Sequence, residues 1–387
     1  MQHAKEPQRR RRGPWISLVC ALAVLGVGAP VAYRASKTSN VDSATTTTAP
    51  IETTTTLKPL RTITVATTGD FLLHMPVQQR ALSNGGGKSY DFSPMLAEIA
   101  PTISGVDIAY CHLETPLTTS DRNLSGYPIF NTAHEIVDAA KGAGYDSCST
   151  ASNHSLDQGE SGITQTLNEL DRVGLGHVGT ARSALESLVP DLQTVKGVKI
   201  AHLDYTYGTN GIPVPAGKPW LLNLINIDQA LAAAAEAKAA GANIVIVEMH
   251  WGEEYSALPS ATQRAQAAAL LASPSVDLVI GQHTHVVQAA EKIGKKYVIY
   301  GTGNFLSNQG APATPVPSND GVIVKIAFAE QRDGTWLQSV TYVPTFVDRS
   351  SYVIHFANTY NNSASYQRTV AALNGLGPGT FDGTPGN

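Results

Sequence analysis

Cysteine is scarce in this 387-residue chain: Cys20, Cys111 and Cys148, with no C-x-x-C pair. That excludes a disulfide-dense scaffold and a thiolate metal knuckle. Positive charge is also short. Lys and Arg number 27 against 31 Asp and Glu, a formal net charge of −4, so no general basic field draws the chain to nucleic acid. Charged residues make up 15% and hydrophobic ones 42%, enough apolar material for one large domain or two ordinary ones.

What is present begins with an asymmetric N-terminus. Lys5 and Arg9 to Arg12 precede an uncharged run over 15–33, and Arg34 and Lys37 follow it. The run is about long enough for one membrane helix, and the basic cluster before it keeps 1–14 in the cytoplasm. The reading is a transmembrane anchor in the cell membrane with the main domain outside. The alternative is a cleaved signal segment and a secreted domain, with Ala29 as the cleavage residue and Pro30 directly after it as the obstacle. Cys20 follows Leu18-Val19 rather than a small residue, so it reads as part of the apolar run and not as a lipidated terminus. A Thr/Ser-rich linker over 34–56 cannot bury a core. The domain then runs over 57–350, and 351–387 reads as a polar, partly disordered extension.

Within the domain, strand and helix patterns alternate. Strands are expected at 62–67, 107–111, 146–149, 244–249 and 276–280, and helices at 94–103, 134–143 and 161–173. Asp228 and Ser260 read as caps of two further helices. The later strands, over 297–300, 322–329 and 337–343, no longer alternate with helices. The pattern implies an α/β domain with two packed mixed sheets and helices outside. Cys111 and Cys148 fall near the ends of neighbouring strands and read as two buried thiols, with a disulfide the alternative in an exported domain.

Five strand ends carry metal-ligand residue types: Asp70, Glu114, Asn153-His154, His250 and His283-x-His285. Taken singly each has a bland reading: a turn aspartate, a surface acid, an Asx turn, a structural histidine. Taken together, on parallel strands, they project toward one edge, where open α/β sheets place ligands. Carboxylates, an amide and three imidazoles suffice for two divalent ions, and without thiolates they suit Mn, Fe or Zn.

The order Gly-Asp, Asn-His, a strand-ending His and Gly-x-His-x-His resembles the calcineurin-like metallophosphoesterases. The finer pattern resembles the CapA family of poly-γ-glutamate capsule biosynthesis proteins. It is carried by Gly69-Asp70, His112 to Pro116, Asn153 to Gly159, His250 to Tyr255, Gly281 to His285 and Tyr300 to Phe305, with Tyr205 to Gly211 as a further family-like segment. The resemblance covers roughly 60–350. It implies a four-layer α/β/β/α metallophosphoesterase-like fold and a dinuclear pocket. Asp70, Asn153, His250, His283 and His285 match ligand positions, Glu114 matches the acid standing where phosphoesterases place a bridging Asp, and His154 matches the histidine that protonates the leaving oxygen.

Three departures follow from the same comparison. Phosphoesterases use Asp-x-His in the first motif, but Phe71-Leu72 follow Asp70, leaving His74 as a substitute ligand from a loop or, by preference, a residue behind the ligands or at the surface. His112 replaces a family Asn, as an extra ligand or, by preference, a neutral hydrogen-bonding substitute. Thr284 stands where CapA proteins usually carry Pro. Asp157 and Glu254 read as residues that orient histidines or close loops rather than bind metal, and Asn304 as a residue satisfying backbone groups near the pocket or as a structural loop Asn. The implied function is a membrane-anchored, extracytoplasmic metallohydrolase of envelope polymer biosynthesis. The alternative is a non-catalytic component that handles an anionic polymer beside membrane-bound synthase subunits.

Overall fold

Ile63 and Val65 point to one side of the strand Thr62–Leu72, and Ala66 and Phe71 to the other, and all four are buried. A strand apolar on both faces belongs in the middle of a layered domain. In the computed structural model, which describes residues 58–310, 317–358 and 363–386, it sits near the centre of a nine-stranded sheet. The spatial order is Ile354–Phe356, Trp336–Val347, Asp320–Glu330, Thr62–Leu72, Ile108–Leu113, Ser147–Ser149, Gly176–Val178. The last four are mutually parallel, and the first three join in antiparallel fashion. Asn304–Ser307 adds a parallel pairing at the Asp70 end of Thr62–Leu72.

The second sheet has six strands in the order Ala290–Ile293, Lys296–Ile299, Leu278–Gln282, Ile244–His250, Val198–Thr206, Asp191–Val195. Its inner four are parallel and its two outer strands antiparallel. Both sheets are therefore mixed, as the late loss of alternation implies.

Three apolar clusters hold the layers. Ile63, Val65 and Val324 from the first sheet meet Ile244, Ile246 and Ile280 from the second in one shared cluster. A second cluster joins the first sheet to helices such as Ile136–Ala143 and Gly159–Val173, and a third joins the second sheet to Ile227–Ala239 and Ala261–Ala272. Full burial of each large aliphatic side chain contributes about 1.5–3 kcal/mol.

Several local expectations are refined. The helix expected at 94–103 is two short helices, Ser93–Leu96 and Ala100–Ser104, because Pro94 and Pro101 each occupy a first turn. Asn226, not Asp228, caps Ile227–Ala239 by accepting from the Gln229 N–H, and Asp228 lies in the first turn. Ser260 caps Ala261–Ala272 in a reciprocal capping box with Gln263. The anchor, tail and linker over 1–56 lie outside the described residues, among which no helix is long and apolar enough to cross a membrane. The extension read as partly disordered is, over its described residues, built into the domain. Ile354–Phe356 edges the first sheet, and Leu373 of the helix Ser363–Leu373 and Phe381 enter the shared apolar cluster. Polar composition masked those isolated apolar anchors.

Cys111 and Cys148 form a disulfide, so the reading of two thiols is corrected. The two residues face each other in the register of adjacent parallel strands, with Cα atoms 4.5 Å apart. Such proximity places both sulfurs within bonding reach. The bond ties together the strands that lead into Glu114 and Asn153. Gly281 is required for a different reason. A Cβ there would lie 1.9 Å from the Tyr300 carbonyl oxygen and 2.5 Å from Trp251 Nε1.

Two outcomes follow. Unreduced peptide mapping of the oxidised protein will show the Cys111–Cys148 cross-link, and Cys111→Ser will lower unfolding stability by about 2–4 kcal/mol, read by denaturant titration. Gly281→Ala will fail to give soluble folded protein, since the added carbon meets backbone rather than a movable side chain.

Candidate metal centre

The parallel strands of both sheets end on one side of the domain, and the ligand-type residues lie at those ends. Asp70 sits where the pairing of Thr62–Leu72 with Ile108–Leu113 slips register, and its N–H donates to the Gly303 carbonyl at 3.0 Å. A bulge of this kind re-aims side chains. Glu114 follows Ile108–Leu113, its N–H bonded to the Phe71 carbonyl at 3.2 Å. His250 is the last residue of Ile244–His250. His283 and His285 have φ of 85° and 58°. Left-handed backbone at two histidines costs roughly 1–2 kcal/mol each, a strain that persists only where the surroundings enforce it.

All six expected ligands are buried and brought together, none more than 3% exposed. Asp70, Glu114 and His285 present ligand atoms within 4.8 Å of one another, and so do Glu114, His250 and His283. Glu114 belongs to both groups. Its Oε1 lies 3.9 Å from His250 Nε2 and 3.9 Å from His285 Nε2. Asn153 Oδ1 is 2.7 Å from His250 Nε2, which places the amide with the second group. Both carboxylate oxygens of Glu114 and Nδ1 of His283 are buried without a hydrogen-bond partner. An unpaired buried carboxylate is costly. Orphaned lone pairs converging on one spot are what a divalent cation satisfies, so the residues present fit such an ion.

The electrostatics agree. Burial drives the Glu114 carboxyl well above its ordinary range, with Asp70 and Glu254 adding to the rise against the pull of His285. Burial holds His250 and His283 well below the usual imidazole range, with neighbouring histidines adding to the effect. Neutral imidazole is the ligating form. At His285 burial opposes the charge, but the carboxylates of Glu114 and Asp70 outweigh it and push the group up to about 9. His285 Nδ1 lies 3.2 Å from Asp70 Oδ2 and 3.1 Å from Asn304 Oδ1, so Nδ1 carries the hydrogen and leaves Nε2 on the Glu114 side.

The remaining candidates separate clearly. His154 donates from Nδ1 to Asp157 Oδ2 at 2.8 Å, and the same oxygen accepts the Phe130 N–H at 2.7 Å. Asn304 donates to the Ser318 carbonyl at 2.8 Å while accepting from His285. Glu254, exposed, forms a group with His283 and His285 at the edge of the centre. His112 sits beside the ligands: its Nε2 is 2.9 Å from His250 Nδ1 and its Nδ1 2.7 Å from Ser149 Oγ, and it also groups with Asp70 and His250. His74 joins none of the convergent groups among the described residues. Its Nδ1 bonds the Leu72 carbonyl at 3.1 Å, and burial lowers it to about 4.

Sequence reasoning missed a buried polar layer beneath the centre. His202 Nε2 pairs with Glu248 Oε2 at 2.9 Å, and Gln282 Nε2 donates to Glu248 Oε1 at 2.6 Å and to the Thr68 carbonyl at 3.0 Å. The available signal was Glu248 itself, an acid inside the apolar run Ile244–His250. Asn210 was also missed as a partner of Asn153, whose Nδ2 donates to Asn210 Oδ1 at 3.2 Å. A cavity of about 880 Å³, lined in part by Arg182, Asp191, His202 and Tyr205, lies apart from these ligands. Size alone does not locate the chemistry.

The family model for bacterial capsule synthesis protein PGA_cap matches residues 64–309. The capsule biosynthesis protein CapA of Bacillus anthracis is 28% identical over 256 residues, covering 64% of this chain and 60% of that one. The PGA biosynthesis protein CapA of Bacillus subtilis strain 168 is 27% identical over 250 residues, covering 62% of each. The match thus spans about three fifths of the length of these relatives. Among solved structures, the calcineurin-like phosphoesterase YfkN from Bacillus subtilis is similar at 14% identity and a TM-score of 0.46, covering 80% of this chain and 98% of that one. A likeness that distant carries no argument about chemistry, which rests on the residues above.

His285 gives a pH dependence for the metal-free protein. Its folded value of about 9 lies above the ordinary 6.5, so its contribution to stability is fully present below about pH 6.5 and is lost as pH rises through 9. Denaturant titrations of chelator-treated protein between pH 6 and 9.5 will show this decline, and His285→Gln will lessen it. A wild-type profile that rises over this window would contradict the assignment.

Proposed function

The chain belongs to the bacterial capsule synthesis protein PGA_cap family, and from that premise we propose that it is an exported, membrane-anchored protein of capsule or envelope polymer biosynthesis whose metal centre performs phosphoesterase-type hydrolysis. The observation that carries the chemical part is Glu114, shared by two ligand groups and left without a partner at either oxygen. Asp70, Glu114 and His285 would hold one divalent cation, and Glu114, Asn153, His250 and His283 a second. The donor set of oxygen and nitrogen suits Mn, Fe or Zn. When bound, such a pair supplies Lewis acidity toward a scissile ester or amide and toward its nucleophile.

The chain's own groups do the rest. His154, its Nδ1–H held by Asp157, keeps its ring fixed, and in its doubly protonated form its Nε2–H would pass to a departing oxygen. Asn304 and Asp70 keep the His285 ring turned with Nε2 inward. The burial of the site excludes water and strengthens each of these interactions. The substrate is an anionic envelope polymer or its precursor. With net charge −4 the attraction comes from the bound cations, not from the protein surface. The run over 15–33 would hold the domain at the outer face of the membrane beside synthase subunits, as the words "capsule biosynthesis" and "PGA biosynthesis" in the two relatives' names suggest for the process.

One observation favours a second reading, a polymer-handling or export component without catalysis. The first ligand group has three protein ligands, and His74, the candidate fourth, is engaged by the Leu72 carbonyl.

The full chain in detergent, loaded with Mn or Zn, will hydrolyse a phosphodiester, phosphomonoester or poly-γ-glutamyl probe, and His154→Ala will lower turnover by about 10²–10⁴-fold at unchanged metal content. Equal turnover in that variant would refute the acid role. Metal-dependent retention of poly-γ-glutamate with no turnover of any probe would select the handling reading.

A further inference from the structure

His250 uses both ring nitrogens. Nε2 faces Asn153 Oδ1 at 2.7 Å, and Nδ1 faces His112 Nε2 at 2.9 Å. The chain of contacts continues from His112 Nδ1 to Ser149 Oγ at 2.7 Å and from Ser149 Oγ to the Cys111 carbonyl at 3.3 Å. Every member is buried.

Without a cation the direction of this chain is fixed at the Asn153 end. The Asn153 Nδ2 donates to Asn210 Oδ1, which also accepts from the Tyr207 hydroxyl at 3.5 Å, so the Asn153 amide turns its oxygen to His250. An oxygen accepts, so His250 Nε2 carries the hydrogen. The ring is neutral, so Nδ1 accepts from His112 Nε2–H, and His112 Nδ1 accepts from the Ser149 hydroxyl.

With a cation held by Asn153 Oδ1 and His250 Nε2, the same chain runs the other way. His250 Nε2 must offer a lone pair, so its hydrogen sits on Nδ1 and donates to His112 Nε2. His112 then donates from Nδ1 to Ser149 Oγ, and the Ser149 hydroxyl donates to the Cys111 carbonyl. That carbonyl can only accept, so it is a fit terminus. Each arrangement holds one hydrogen on each imidazole and one on the hydroxyl. The two arrangements differ only in where these protons sit, and since the Cys111 carbonyl has no proton to give Ser149, the hydrogens are re-seated by exchange with water during local opening. No net proton enters or leaves.

We propose that Ser149 and His112 are positioning residues of a reversible hydrogen-bond relay, which stores His250 in its non-ligating tautomer when the centre is empty and switches it to the ligating tautomer when a cation binds. His112 is thus not itself a ligand, although it also lies 3.9 Å from Asp70 Oδ1. The relay rests on the metal-centre reading above. It gives the residue that replaces the family Asn a task specific to this chain. Metal-bound histidines whose other nitrogen loses its partner typically lose about 10–100-fold in metal affinity.

The test is nitrogen-15 NMR of the full chain, labelled at histidine, during zinc titration, with His112 identified by the resonances missing from His112→Gln. The expected result is that His112 changes from the Nε2–H to the Nδ1–H tautomer as zinc binds, with neither of its nitrogens showing a metal-bound shift. Ser149→Ala is expected to weaken zinc binding about 10-fold by calorimetry, and Ser149→Thr, which keeps the hydroxyl, to restore it. Zinc uptake with the His112 tautomer unchanged, or with a metal-bound His112 nitrogen, would overturn the relay and leave the metal centre standing. A wild-type chain that takes up no zinc and no manganese would overturn both. If Ser149→Ala fails to fold, the wild-type titration decides alone.

Discussion

A carboxylate with no partner, buried where two sheets meet, is the constraint on which the rest of the structure depends. Glu114 places a carboxyl where no hydrogen-bond donor among the described residues meets either oxygen, and burial there pushes it well above its ordinary range. Two unit charges 4 Å apart interact by about 4 kcal/mol at an effective dielectric of 20, against about 1 kcal/mol in water. His285 supplies part of the compensation and is pushed up to about 9 in doing so. The imidazoles of His250 and His283, held neutral by burial, supply none. The fold therefore concentrates acceptors and withholds donors at one point, which is the arrangement a cation completes.

That arrangement needs both sheets to be rigid, and the supports are specific. The Cys111–Cys148 bond fixes the two strands leading to Glu114 and Asn153. From the opposite sheet, Asp204 Oδ2 accepts the N–H groups of Thr150 at 3.0 Å and Ala151 at 2.6 Å, and so pins the loop that carries Asn153 and His154. Gly179 leaves the room for this reach, since a Cβ there would lie 2.2 Å from Asp204 Oδ2. Below the ligands, the Glu248, His202 and Gln282 layer is largely satisfied by its own hydrogen bonds, which is the condition under which a buried polar network rigidifies rather than weakens a core.

Much of this was legible in the sequence because strand ends are where period-two apolar runs stop. Asp70, Asn153, His250 and the His283-x-His285 pair stood at such stops, and the shared parallel direction of the strands carries them to one edge. Glu248 was illegible for the converse reason: it lies inside the run Ile244–His250, where pattern reading counts it as noise. His74 stood as a substitute ligand only through the family resemblance, and its hydrogen bonding to Leu72 is a matter of loop geometry that a sequence does not encode. The Cys111–Cys148 pairing stayed open because bonding needs a cross-strand register, which a sequence does not display. Leu373 and Phe381 were hidden in a polar tail, since two anchors suffice to dock a segment that composition marks as loose.

Family membership names a process, capsule synthesis, while the geometry gathers groups of residues that could hold metal ions, and Glu114 is common to two of them. The most direct measurement is anomalous diffraction at the manganese edge from crystals soaked in that ion. Two peaks are expected to flank the Glu114 carboxylate, one within bonding distance of Asp70 and His285 and the other of Asn153, His250 and His283. A single peak, or peaks that leave Glu114 uncoordinated, would contradict it.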